Sequence, residues 1–144
     1  MVKQPQKNKS LHPYPRKSPW KTQDPAIYED KYFRWRVISK YIDYEDEEWG
    51  WGKIDIRHFF QRLLPRLHEY ETMTWSELFN RQSCHAWDVN DIPGNAQRKL
   101  QGKYPEHDTF HQIDMEKPCR LLGFRDRQMF YLIWHDPNHT ICPM

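Results

Sequence analysis

Between Cys119 and Pro143 apolar and polar residues alternate on either side of one polar break, Arg125-Asp126-Arg127-Gln128. That pattern predicts two β-strands joined by a tight turn. With Asp126 and Arg127 as the turn residues, Phe124 faces Met129, Leu122 faces Tyr131 and Cys119 faces Trp134. Side chains alternate across a strand, so each residue is assigned to a face. One face is Cys119, Leu121, Gly123, Phe130, Leu132 and Trp134, all apolar or small. The other carries Arg120, Leu122, Phe124, Met129, Tyr131, Ile133 and His135, an apolar floor set with a cation, a phenol and an imidazole. A core needs only the first face, so the second is expected to hold the chemistry.

The same reading covers the rest of the chain. Residues 31–42 alternate Phe33, Trp35, Val37 and Ser39 with Arg34, Arg36, Ile38 and Lys40, which predicts a strand with one charged side. Asp43 to Glu48 is an acidic loop without the spacing of a calcium site, expected to be solvated. Asp55 to Tyr70 reads as the main helix, burying Ile56, Phe59, Phe60, Leu63, Leu64 and Leu67, with Pro65 kinking or splitting it. Thr74-Trp75-Ser76-Glu77 is a capping box that opens a short helix to about Arg81, with Met73 and Leu78 as its staple. Ser83 to Val89 reads as a short extended segment, and Asp91 as the cap of a helix running to about Lys103. Phe110 to Met115 alternates as a strand. The order is strand, helices, then a three-strand meander. It predicts an α+β fold of two layers: an antiparallel sheet, the first strand beside the last, and two or three helices on one face.

Composition adds an arm. Residues 1–27 are rich in Pro, Lys, Gln and Ser, which predicts an extended segment ahead of one domain at 28–144. Six cations against Asp24 give the first 25 residues a charge of +5, so a net charge of +2 leaves −3 on the body. A basic arm on an acidic body points to a polyanion, or to a solvated tail. No stretch approaches the roughly 20 apolar residues of a membrane span. The N-terminus has no signal-peptide core, and the three cysteines form no CxxC pair, so a cytoplasmic location is expected.

In its order of elements, residues 31–143 resemble the RelE/ParE superfamily of bacterial toxins, the HigB and YoeB types included. The closing segment FYLIWHDPNHTICP is also similar to the C-termini of small bacterial and phage-borne proteins. The resemblance implies a toxin held by an antitoxin, cleaving mRNA at the ribosome from an open sheet face. The basic arm, the acidic loop and the helix near Ala96 depart from that pattern. Metal-free RNA cleavage needs a base, an acid and a cation for the phosphorane. His135 or His139 is the expected base or acid, Arg120 the phosphate ligand, and Tyr131 a stacking or proton-donating group. Arg125 and Arg127 at the hairpin tip, Lys117, Arg34, Arg36, and Lys17 and Lys21 in the arm are the expected RNA contacts. No metal or cofactor is expected: a His135–Asp136–His139 cluster lacks the helix that an i, i+4 pair needs.

Two other readings use the same residues. In one, Asp136-Pro137-Asn138-His139 is only a strand-ending turn, and Arg120 only pairs with Asp114 or Asp136. In the other, the chain is a non-catalytic phage or defence-system module that docks a partner through the aromatic sheet face and the arm.

Overall fold

The computed structural model describes residues 28–142. Lys17, Lys21 and the rest of the arm, up to residue 27, lie outside them. The fold is α+β, built on one five-stranded mixed sheet. Its strands are β1 (Arg34–Arg36), β2 (Cys84–Asp88), β3 (Thr109–Asp114), β4 (Arg120–Asp126) and β5 (Met129–Asp136), in the spatial order β1-β5-β4-β3-β2. β1 does lie beside the last strand, but it is three residues long and runs parallel to it, with Trp35 opposite Phe130. No tight turn joins β1 to β5, so nothing local imposes the antiparallel sense. The extended segment after Ser83 becomes β2, an antiparallel edge strand on β3.

The turn of the closing hairpin falls one residue later than its composition implies. Asp126 pairs with Met129, leaving Arg127, at φ 58°, and Gln128 in the turn. A slip of two positions in the pairing keeps every side chain on its expected face. A bulge then changes the outcome. Gly123 pairs with Leu132 but Leu122 pairs with Trp134, so Ile133 is the extra residue. Beyond it the alternation is inverted: Trp134 joins Leu122 and Ile133 on one side, and His135 joins Leu121 on the other.

Helices cover both faces of the sheet, where a single layer of them was expected. Helix α1 runs through Ile56–His58, a π-turn at Phe59–Leu63 and Leu64–Tyr70. Helix α2 spans Trp75–Asn80, and its Thr74/Glu77 capping box is formed as its sequence implies. Both pack Leu63, Leu67, Tyr70, Trp75 and Leu78 onto the face of Leu121, Phe130 and Leu132. Helix α3 (Gly94–Lys103) covers the opposite face, placing Ala96 and Leu100 with Leu122, Phe124, Ile133 and Trp134. Pro93 rather than Asp91 precedes α3, because Val89–Asp91 forms a separate 3-10 turn capped by Asp88. The helix is divided as Pro65 implies: a π-turn interrupts it, and Pro65 stands in the first turn of the last segment, Leu64–Tyr70, where a missing N–H is tolerated. Leu64 N–H reaches back to the Phe59 carbonyl, five residues away, and this wider turn precedes the ring. The extra residue shifts the helical phase, so Ile56 is 70% and Phe60 55% exposed, although a regular 3.6-residue period buries both.

The acidic loop is structural. Asp43 is buried, accepts from the Trp134 indole at 2.9 Å, and meets Lys103 Nζ at 3.1 Å. Asp46 meets Lys99 Nζ at 2.7 Å, so the loop is tied to α3 by two lysines. Gly50 and Gly52 close beneath it, where a Cβ would sit 2.5 Å from the Asp46 and Tyr44 carbonyl oxygens, respectively. No helix among the described residues is long and apolar enough to cross a membrane.

Candidate functional site

A concavity of about 110 Å³ lies on the α3 side of the sheet, at the end where β4 begins and β5 stops. It is lined by His85, Trp87, Gln112, Arg120, His139 and Cys142. The period of two explains four of these: His85 and Trp87 on β2, Gln112 on β3 and Arg120 on β4 share one face in the observed registers. Arg120 Nε stands 2.8 Å from Asp114 Oδ1 as a charge pair without an aligned hydrogen bond. Its Nη1 donates to the carbonyls of Pro118 (3.1 Å) and Cys119 (3.0 Å). These contacts fix the guanidinium and leave Nη2 without a partner among the described residues.

His139 comes from the loop that ends β5. Asp136, fully buried, accepts from the Thr140 and Ile141 backbone N–H groups, both at 2.9 Å, and from the Thr140 hydroxyl at 3.1 Å. The chain wraps around that carboxylate, and His139 takes φ 57° at the crest. The left-handed region costs a non-glycine residue energy, so the three hydrogen bonds to Asp136 hold His139 over the concavity. The Asp136 turn and the Arg120–Asp114 pair are both formed as expected from turn chemistry. Gln112 supplies the floor. Its Oε1 accepts from the Trp87 indole at 3.3 Å, and its buried Nε2 has no hydrogen-bond partner among the described residues. A buried amide donor left open is unusual, because it forfeits hydration without replacement. The Cys142 thiol is pushed up to about 12, first by burial and then by the Asp136 carboxylate, so it stays protonated.

Of the expected catalytic residues, Arg120 and His139 meet here, and Tyr131 and His135 do not. Tyr131 shares the face of Arg120 but pairs with Phe124, and packs against Tyr41 with ring centroids 5.6 Å apart. Arg120 pairs with Asp136, five residues further along β5, which at about 3.3 Å per residue is roughly 16 Å away. His135 is turned by the bulge to the other face. There its ring lies 5.4 Å from Trp51 and 5.6 Å from His58, and its pKa falls to about 4, through burial first and His58 second. His58, Cys119 and His135 bring their ligand atoms within 4.8 Å of one another, the one such group of three among the described residues. Burial, then Asp136, pushes the Cys119 thiol up to about 12.

The expected RNA contacts scatter. Arg125 is buried, with Nη2 2.8 Å from Glu29 Oε1 and its guanidinium 4.1 Å from the Trp75 ring centroid, so it belongs to the core and not to the hairpin tip. Arg127 is part-exposed at the β4–β5 turn, at the opposite end of the strands from Arg120. Arg34 and Arg36 are exposed on β1, the edge farthest from β2, and Lys117 is exposed in the turn just before β4. The open aromatic sheet face is closed: Leu122, Phe124 and Ile133 are buried beneath α3 and its flanking turns. His85 and Trp87 give no sequence signal as site residues because the five-residue edge strand β2 carries little periodicity, and Gln112, on the expected strand β3, is set apart only by the neighbours that the sheet order gives it. Compared with protein-family models, curated proteins and solved structures, the chain matches none.

Proposed function

We propose that the protein is an RNA endonuclease of the toxin type, cleaving without a metal from the concavity beside β2, and held in check by an antitoxin. One observation carries this reading: two imidazoles, a fixed guanidinium and an open amide donor line a single concavity. They are the groups that a 2′-hydroxyl transfer needs. One of His85 and His139 takes the 2′-hydroxyl proton as O2′ bonds to phosphorus. The other gives a proton to the departing 5′-oxygen as the P–O5′ bond breaks, leaving a 2′,3′-cyclic phosphate. Arg120 Nη2 and Gln112 Nε2 donate to the phosphorane oxygens, whose charge peaks in the transition state. Action at the ribosome follows from the toxin reading, with the arm as the basic element that meets ribosomal RNA. The antitoxin of this reading covers the mouth of the concavity and the β2 edge.

The test is induced expression in a bacterium with RNA 5′-end mapping. The wild type arrests growth and leaves discrete cuts, whereas His139→Ala, His85→Ala and Arg120→Ala, each folded by circular dichroism, lose both. Wild-type expression that leaves RNA uncut overturns the proposal, as does full cutting by all three variants.

A further inference from the structure

On the opposite side of the sheet, three segments far apart in sequence converge. His58 ends the first turn of α1, just before the π-turn. Cys119 sits one residue ahead of β4, its N–H donating to the Glu116 carbonyl at 2.8 Å and its carbonyl accepting from Met115 at 3.0 Å. His135 is one residue from the end of β5, its N–H donating to the Trp49 carbonyl at 2.9 Å. The β5 bulge decides the convergence, since an unbroken pleat points His135 away from Cys119.

We propose that His58, Cys119 and His135 form a zinc site, with three protein ligands and a fourth position open to solvent past the half-buried His58. Four features support it. The three ligand atoms already lie within 4.8 Å of one another, and donors of tetrahedral zinc stand about 3.4–3.8 Å apart. Small side-chain rotations close the difference. His135 is 9% exposed, yet its Nε2 is buried with no hydrogen-bond partner among the described residues, an orphan that a metal ion satisfies. One thiol and two imidazoles are the borderline-soft donor set that zinc selects over magnesium or calcium. Trp51, buried and edge-on to Phe59 at 6.1 Å, lies with its ring 5.4 Å from His135, so the imidazole is held against an apolar neighbour. Nearby charge is mixed: the Asp136 and Glu116 carboxylates favour a cation, and the Arg120 guanidinium opposes it. On binding, the Cys119 thiol passes its proton to solvent and the thiolate takes its place on the metal, while the imidazoles bind neutral. The ion then cross-links α1, the turn before β4 and the end of β5, all on the face away from the concavity.

The test uses the full chain, stripped with a chelator and titrated with cobalt(II) and then zinc. One equivalent of cobalt produces a thiolate-to-metal charge-transfer band in the near ultraviolet and visible bands of tetrahedral intensity, and zinc abolishes both. Cys119→Ser removes the charge-transfer band, and Cys84→Ser and Cys142→Ser keep it. His58→Ala alters only a half-buried position. It leaves the circular dichroism unchanged and weakens zinc at least about 10-fold in competition with a chromophoric chelator. The proposal is overturned by a cobalt spectrum without thiolate character, or by His58→Ala binding zinc as tightly as the parent. Neither readout depends on RNA cleavage.

Discussion

Arg120 and Asp114 face each other across β4 and β3, with Nε and Oδ1 2.8 Å apart at the rim of the concavity. The pair does little for stability, since both side chains keep some exposure and such pairs contribute about 0–1 kcal/mol. Its role in the proposed reaction is to aim Nη2. Asp114→Asn keeps the shape and removes the charge, so the guanidinium is held only by the Pro118 and Cys119 carbonyls. The expected outcome is a cleavage rate lower by about 10-fold or more with a urea midpoint near the parent's. Unchanged cleavage by Asp114→Asn removes the positioning role from this pair.

Asp43 offers a sharper stability test. Its carboxylate joins the sheet to α3, taking the Trp134 N–H on one oxygen and Lys103 on the other. Burial pushes its pKa up, but the bonds from Trp134, Lys103 and the Glu45 and Asp46 backbone outweigh that and leave it below the usual carboxylate range. Asp43→Ala strands a buried indole N–H and frees the loop. The expected loss is about 2–4 kcal/mol in urea unfolding followed by tryptophan fluorescence. A loss under about 1 kcal/mol means that the loop packs well without its carboxylate.

Much of this architecture was legible in the sequence. The capping box at Thr74 and the closing hairpin follow from local chemistry, and the place of β1 beside β5 follows from the order of elements. The rest turned on one-residue irregularities that periodicity does not register. A single extra residue at Ile133 exchanged the faces of Trp134 and His135, separating His135 from Arg120 and delivering it to Cys119. A single π-turn exposed Ile56 and Phe60. The second sheet face did carry its own signal. Leu122, Phe124 and Ile133 are too apolar for an open surface, and the helix that covers them, α3, was already visible around Ala96 and Leu100.

Acid should unfold the protein through its buried histidines. His107 is held down to about 3 by burial and then by Lys40, and His111 to about 3 by burial and then by Arg125. Both are neutral in the native state, while their unfolded counterparts protonate near the ordinary histidine value of 6.5. The unfolded state therefore binds more protons between about pH 6.5 and pH 3, and stability falls with pH throughout that window. Each histidine removes up to about 1.4 kcal/mol per pH unit. Urea midpoints measured from pH 7 to pH 4.5 should drop steeply, and His111→Leu should reduce the slope by up to one proton. Equal slopes for parent and variant mean that His111 is protonated in the folded protein.

Gly123 is the position where the least added matter should do the most damage. It pairs with Leu132 directly beside the bulge, and the Phe130 ring lies across the place where a side chain would begin. An alanine Cβ there would meet the Phe130 ring carbons at 2.8 Å and the Tyr131 carbonyl oxygen at a still closer approach. The ring can be trimmed by mutation and the carbonyl cannot, because it belongs to the backbone of the paired strand. Gly123→Ala is thus expected to cost about 3 kcal/mol or more, measured by urea unfolding or seen as loss of folded protein. Gly123→Ala combined with Phe130→Leu should stay nearly as unstable as Gly123→Ala alone. Recovery in the double variant would locate the clash in the aromatic ring, and would mean that β4 and β5 can separate enough at the bulge to admit a methyl group.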